Sequence, residues 1–320
     1  MITYYYQDEA GRIEQGEERP GNGWIHVEAP QEAEIDALLS RVELPRNFVR
    51  AALDRREVAR TDMADGSRLV IVRVPYDFGD GDNVPFRTVP LALIATADYF
   101  VTISHEPVDF VGDLNISYRD DDLPAHRAAR MIPAILGVVG QWYLLYLEEI
   151  ERRLEDVEKR LLDSIENSEM LELLRIEKSL VYLKTGLDWN NNMLGHLQEI
   201  KPFDWDEADE QLLHSVLIEY RQGFHMAQTM LEVLESTTDA YASLISNNLN
   251  VVMKFLAAVT IILTVPMIVA SIYGMNVPLP GETNPNSLAV LLLGSAVLTL
   301  WVSWWFYQRG WLTFRWRRKR

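Results

Sequence analysis

Two charge-free apolar runs near the C-terminus decide most of what this chain can become. Phe255 to Tyr273 is nineteen residues without Asp, Glu, Lys or Arg, and Leu288 to Tyr307 is another twenty. A helix rises about 1.5 Å per residue, so each run can cross a hydrocarbon core roughly 30 Å thick. Only a short connection lies between them, so the two spans are expected to form a hairpin.

The rest of the chain has the opposite character. Residues 1–250 hold 46 acids and 23 bases, net -23, whereas residues 251–320 hold Glu282 alone against seven bases, net +6. So acidic a front suits cations and argues against a nucleic-acid partner. The basic end, Arg309, Arg315, Arg317, Arg318, Lys319 and Arg320, reads as a positive-inside anchor. The connection 274–287 has no Lys or Arg and is expected outside, with both termini in the cytoplasm and the hairpin in the cell membrane. The N-terminus lacks the apolar segment of a signal peptide. Zero cysteines exclude disulfides, Cys-ligated zinc and thiol catalysis. The chain has neither a Walker sequence nor a Gly-rich phosphate loop. The six histidines (His26, His105, His126, His196, His214, His225) show no ligand spacing, and no residues are arranged for catalysis. A non-enzyme without an organic cofactor is expected.

Residues 1–124 read as a cytosolic α/β domain, an α+β mixture of sheet and helices. Met1–Tyr6, Trp24–Glu28, Arg68–Tyr76 and Tyr99–Ser104 are β-type runs. Asp65-Gly66 predicts a hairpin turn between Ala59–Met63 and Arg68–Val74. Glu32–Arg41 and Arg46–Arg55 have helical spacing. The loop from Phe78 to Asn83 lacks calcium-ligand spacing. Residues 125–205 predict a hairpin of long helices, 125–164 and 169–199, broken near Asn167-Ser168. Asp204 or Asp206 is placed to cap a third helix. That helix carries a heptad seam: Leu213, Leu217, Tyr220, Phe224, Ala227, Leu231, Leu234, Thr238, Tyr241, Ile245, Asn248 and Val252 alternate steps of four and three. It predicts a stalk, 206–250, running without a Pro or Gly break into a first span, 251–273. A connecting loop 274–287, a second span 288–307 and a basic tail 308–320 follow. So long a helix needs partners, and an oligomeric funnel is inferred.

On the first span Asn250, Met253, Ala257, Thr260, Thr264, Met267 and Ser271 share one face, while Phe255, Val259, Ile262 and Val269 are among the lipid-compatible remainder. Small and hydroxyl residues also let membrane helices pack closely, so residues alone leave a packing face and a pore lining equally open. Tyr273-Gly274-Met275-Asn276 follows that face. A Gly-Met-Asn between two C-terminal spans resembles the signature of the CorA family of magnesium channels, closely over the last seventy residues and in plan over the rest. The resemblance implies a homopentamer with the first span lining the pore. It implies Gly274, Met275 and Asn276 as the outer selectivity element, Asn250 as an inner polar ring, and Met253 with Leu256 as a hydrophobic constriction. Leu256 lies beside the polar stripe, so its place rests on the family alone.

Magnesium holds its water shell tightly, so a ring of neutral amide oxygens suits the hydrated ion better than carboxylates that would hold it too long. Tyr273 is expected to pack the loop and Gly274 to supply a tight turn. An inside-negative potential gives a divalent ion about 4.6 kcal/mol per 100 mV, enough to drive passive uptake. For regulation the family uses cytosolic carboxylates as Mg²⁺ sensors. Here His214-Ser215 stands near the expected acidic position, and Glu219 is the nearest substitute. Glu282 resembles the family's loop acid. Transport of Co²⁺, Ni²⁺ or Zn²⁺ on the same scaffold remains a sibling reading, and a membrane-tethered acidic sensor or scaffold is the reading from another class.

Overall fold

The computed structural model describes residues 1–8, 12–17, 23–118, 127–163, 167–275 and 286–312. Seven strands, β1 (Ile2–Gln7), β2 (Ile13–Gly16), β3 (Gly23–Glu28), β4 (Arg60–Ala64), β5 (Ser67–Asp77), β6 (Phe86–Ala95) and β7 (Tyr99–Ser104), form one sheet in the order β2-β1-β3-β7-β6-β5-β4. Only β3 and β7 pair in parallel, so the sheet is mixed. Asp65 (φ 50°) and Gly66 (φ 76°) both take the left-handed conformation that a two-residue β4–β5 turn demands.

Alternation assigns the two faces. Ile25 and Val27 of β3, Leu69 and Ile71 of β5 and Val101 and Ile103 of β7 pack on α1 (Glu32–Arg41) and α2 (Arg46–Leu53) through Leu38, Val42, Phe48 and Val49. Against the sheet lie α4 (Ala128–Asp163), preceded by a short α3 (Val111–Ser117), and α5 (Asn167–Ile200). Covering both faces makes β5 a nearly continuous apolar run, as doubly buried strands require.

Three elements were not expected: β2, α3 and, most consequentially, β6. Pro90 sits inside β6, and proline cannot donate to a ladder. Its partner Arg73 turns its own N–H and C=O away from β6 toward Asn190 of α5, which accepts at 2.8 Å and donates at 2.7 Å. The Arg73–Pro90 pair is therefore a non-hydrogen-bonded one. The missing N–H faces the side where β7 has already ended at Ser104, opposite Leu91.

The chain divides into two units, Met1–Leu234 and Glu235–Arg320. α6 is Glu207–Tyr273 and α7 is Ser287–Gln308. Asp206 caps α6, its Oδ1 accepting from the Asp209 N–H at 2.9 Å. The heptad seam was expected to await a partner chain; in the first unit its own protomer covers it. Leu213, Leu217, Tyr220, Ala227 and Leu234 are buried, and the Tyr220 hydroxyl donates to the Leu136 carbonyl of α4 at 3.0 Å. A 3.5-residue repeat says that a face is covered, not by whom.

Among the described residues three helices are long and apolar enough to cross a membrane: Ala128–Leu161, α6 and α7. The first has 61% of its apolar window buried within the protein, against 6% for each of the others. α4 therefore spends its apolar surface on the core of the first unit.

Candidate functional site

In the second unit α6 presents two different faces. Ala258 is buried, and Phe255, Val259, Ile262, Val265, Pro266 and Val269 are half-buried. At 3.6 residues per turn these positions centre almost opposite the polar stripe. On the stripe Asn250, Met253, Ala257, Thr260, Met267 and Ser271 are exposed and Thr264 is half-buried. Leu256, also exposed, flanks it. The protomer thus buries the apolar side of its first apolar run and leaves the polar side without cover.

The hydroxyls on that side are turned in one sense. Thr260 Oγ1 donates to the Leu256 carbonyl at 2.8 Å, and Thr264 Oγ1 to the Thr260 carbonyl at 2.7 Å. With each proton committed to the backbone, what the two side chains offer outward is lone pairs. A hydrated cation points water protons outward and meets acceptors at both threonines.

At the end of α6 the Gly274 N–H donates to the carbonyls of Ala270 at 3.0 Å and Ser271 at 3.3 Å, and the Met275 N–H to Ile272 at 3.3 Å. Gly274 was expected to supply a tight turn. Its φ is not positive, and an added Cβ would meet only the Ala270 and Ser271 carbonyls at ordinary contact distance, 3.4 and 3.5 Å. Conformational freedom within the protomer therefore does not account for the glycine. Tyr273 and Met275 are exposed. Asn276 and Glu282 lie outside the described residues.

Among the described residues no three His, Asp or Glu converge as a metal site within the chain. Several acids of the first unit are held by neighbouring bases instead: Asp80 by Arg153 at 2.6 Å, Asp82 by Arg87 at 2.8 Å, Glu149 by Arg153 at 2.9 Å and Glu172 by Arg160. Glu219 differs. Its Oε2 is buried with no hydrogen-bond partner, an added Cβ on Gly140 would stand 3.2 Å from it, and burial raises its pKa.

Comparison with known proteins decides the family. A family model described as "CorA-like Mg2+ transporter protein" matches residues 21–309. The chain belongs to the CorA family. A curated CorA relative, the "Cobalt/magnesium transport protein CorA" of Methanocaldococcus jannaschii, is 26% identical over 293 residues, 90% of this chain and 91% of the relative. The complete structure of the CorA magnesium transporter from that organism superposes with a TM-score of 0.85, at 23% identity, covering 97% of this chain and 98% of that one. The full-length CmaX protein has the same fold, with a TM-score of 0.71, at 18% identity and 96% coverage of each chain. The CorA fold is therefore shared from the mixed sheet through the long helices to the C-terminal apolar helix, and the family is one of transport proteins.

Proposed function

We propose that this CorA protein is a passive channel for divalent cations, carrying Mg²⁺ into the cell down the membrane potential. The observation that carries the reading is the acceptor-lined stripe of α6, left uncovered by its own protomer and leading into Gly274-Met275-Asn276. In this reading α6 and α7 span the membrane with both termini in the cytoplasm. A homopentameric ring of α6 stripes encloses the pore. Gly274, Met275 and Asn276 select the hydrated ion at its outer mouth, Glu282 gathers cations there, Asn250 forms the inner polar ring, and Met253 and Leu256 form the constriction. The glycine is then explained by close approach of neighbouring copies around the ring.

Cytosolic Mg²⁺ acts, on the same proposal, at Glu219, with the remaining ligands supplied by a neighbouring copy. A second reading, Co²⁺ transport, is favoured by the M. jannaschii relative, which is named a cobalt/magnesium transport protein.

The deciding experiment is ion flux into liposomes containing the purified chain, with a Mg²⁺ dye and competing Co²⁺, Ni²⁺ and Zn²⁺. Uptake should be saturable and driven by an inside-negative potential alone. Asn276→Ala should abolish it while the oligomer stays assembled. Wild-type flux in an assembled Asn276→Ala protein removes the selectivity role. Absence of flux for every ion leaves the membrane-tethered scaffold.

A further inference from the structure

The acidic first unit contains one strongly basic cavity. Between the β5–β6 hairpin, the segment after α2, and α5 lies a space of about 540 Å³, within the size range of small-molecule sites. Arg55, Arg56, Arg73 and Arg87 line it together with Tyr182 and Trp189, and no Asp or Glu does so among the described lining residues. Bases are outnumbered two to one over residues 1–250, so four arginines in one lining run against the composition.

Arg73 is the centre of the argument. Only 6% of it is exposed. Its guanidinium donates to Thr88 Oγ1 at 3.1 Å, to the Arg55 carbonyl at 2.9 Å, to the Glu57 carbonyl at 3.0 Å and to the Thr88 carbonyl. Every one of those acceptors is neutral. The hydrogen bonds are satisfied by neutral groups, and the charge is met without a direct ion pair, by the face of Trp189 at 5.9 Å and by the field of Asp54, whereas a buried charge is normally paired. Beside it, Arg87 stacks on Phe78 at 3.8 Å and gives one nitrogen to Asp82, yet its Nε–H is buried without an acceptor. Arg55 is held at the rim by Glu106 at 2.8 Å. Among the described residues exposed Arg56 bonds only through its backbone N–H, which donates to Asp54 Oδ1 at 2.9 Å.

We infer that this cavity binds a small phosphate-bearing polyanion. The fixed fork of guanidinium donors matches phosphate oxygens better than it matches a spherical halide. Exposed Arg56, with Arg55 beside it at the rim, supplies contacts, and buried Arg73 and half-buried Arg87 supply positive charge behind them. Tyr182 and Trp189 at the α5 wall offer aromatic surface, so a nucleoside polyphosphate and an inorganic one share the site's chemistry. Such a ligand is itself a magnesium chelator, so occupancy reports phosphate that lacks its metal. This inference is independent of the transport reading, because binding is measured without flux.

The test is calorimetric titration of the full chain in detergent, free of divalent metal, with pyrophosphate and with ATP as probes. Saturable binding of at least one is expected. In Arg55→Gln/Arg56→Gln, two exposed positions whose change leaves the core intact, it should weaken tenfold or more. Arg87→Gln removes one of the charges behind the rim, and should weaken it several-fold. ATP binding more than fivefold tighter than pyrophosphate, with the excess lost in Tyr182→Ala, assigns the base to the aromatic wall. Equal affinities assign an inorganic anion. No binding of either probe, or binding unchanged in the double variant, overturns the inference.

Discussion

The Arg130 guanidinium reaches the Asp209 carboxylate at 3.2 Å, and that carboxylate is fully buried. Arg127 approaches the same group at 3.1 Å, so the start of α4 and the first turn of α6 are joined through one acid. The position is doubly favourable, since a helix N-terminus also attracts negative charge. Asp209→Ala would take from Arg130, only 15% exposed along its side chain, and from Arg127 the buried carboxylate that they share. The expected cost is roughly 2–4 kcal/mol, read as a lower denaturation midpoint of the purified chain. A loss below about 0.5 kcal/mol, the ordinary range for surface substitutions, would mean that the α4–α6 junction is held by packing alone.

Polar substitution at the proposed constriction should raise leak. Met253 and Leu256 are 63% and 56% exposed in the single chain, so neither is needed for its folding. Met253→Asn or Leu256→Asn would wet a region proposed to close by dewetting. Liposome flux at high Mg²⁺ on the cytosolic side should rise several-fold. Unchanged leak in both variants places the gate elsewhere on α6.

Glu219 separates a metal ligand from a merely buried carboxylate. Burial raises its folded pKa above that of the unfolded chain, so above that pKa the ionised carboxylate costs stability, and the cost is relieved as pH falls through it. Glu219→Gln should therefore melt higher than wild type near pH 7 when Mg²⁺ is absent, and the two should converge on acidification. If Glu219 also ligates Mg²⁺, added Mg²⁺ should stabilise wild type and not the variant. An equal Mg²⁺ effect in both ends the sensing proposal.

His26 gives the opposite slope. The Trp24 indole N–H donates to Thr102 Oγ1 at 2.9 Å, and the same oxygen lies 2.7 Å from His26 Nδ1, so the buried neutral ring is hydrogen-bonded within the core. Burial lowers the His26 pKa from 6.5 to about 4. Between those values the unfolded chain takes up a proton that the native state refuses, so stability falls as pH drops. The loss reaches on the order of 3 kcal/mol. In His26→Gln the unfolding free energy should be flatter over that interval. An equally steep fall in the variant would assign the slope to other groups.

What could be read from the residues divides along the range of the interactions. The two apolar runs, the Asp65-Gly66 turn and the Asp206 cap are local, and each appears where expected. The stripe from Asn250 to Ser271 needed only helical spacing, and burial now separates its two sides. β6 was hidden because Pro90 contradicts a central strand, and the device that accommodates it is a side chain on another element: Asn190, 117 residues from Arg73. The basic cavity was equally invisible. Its four arginines come from three segments, each of which reads alone as ordinary surface charge. The seam from Leu213 to Leu234 announced burial correctly, but the expected cover was a partner chain and the observed cover is its own protomer.

α4 has a consequence for how the protein is made. Its apolar stretch from Ala128 to Leu161 leaves the ribosome before the two C-terminal runs do, and by length and composition it too could enter lipid. The folded sheet and α5 take up much of that surface. The order of synthesis therefore sets a race between closing the first unit and handing α4 to the insertion machinery. A lesion in the sheet, far from any ion, would surface as a chain threaded through the membrane once too often.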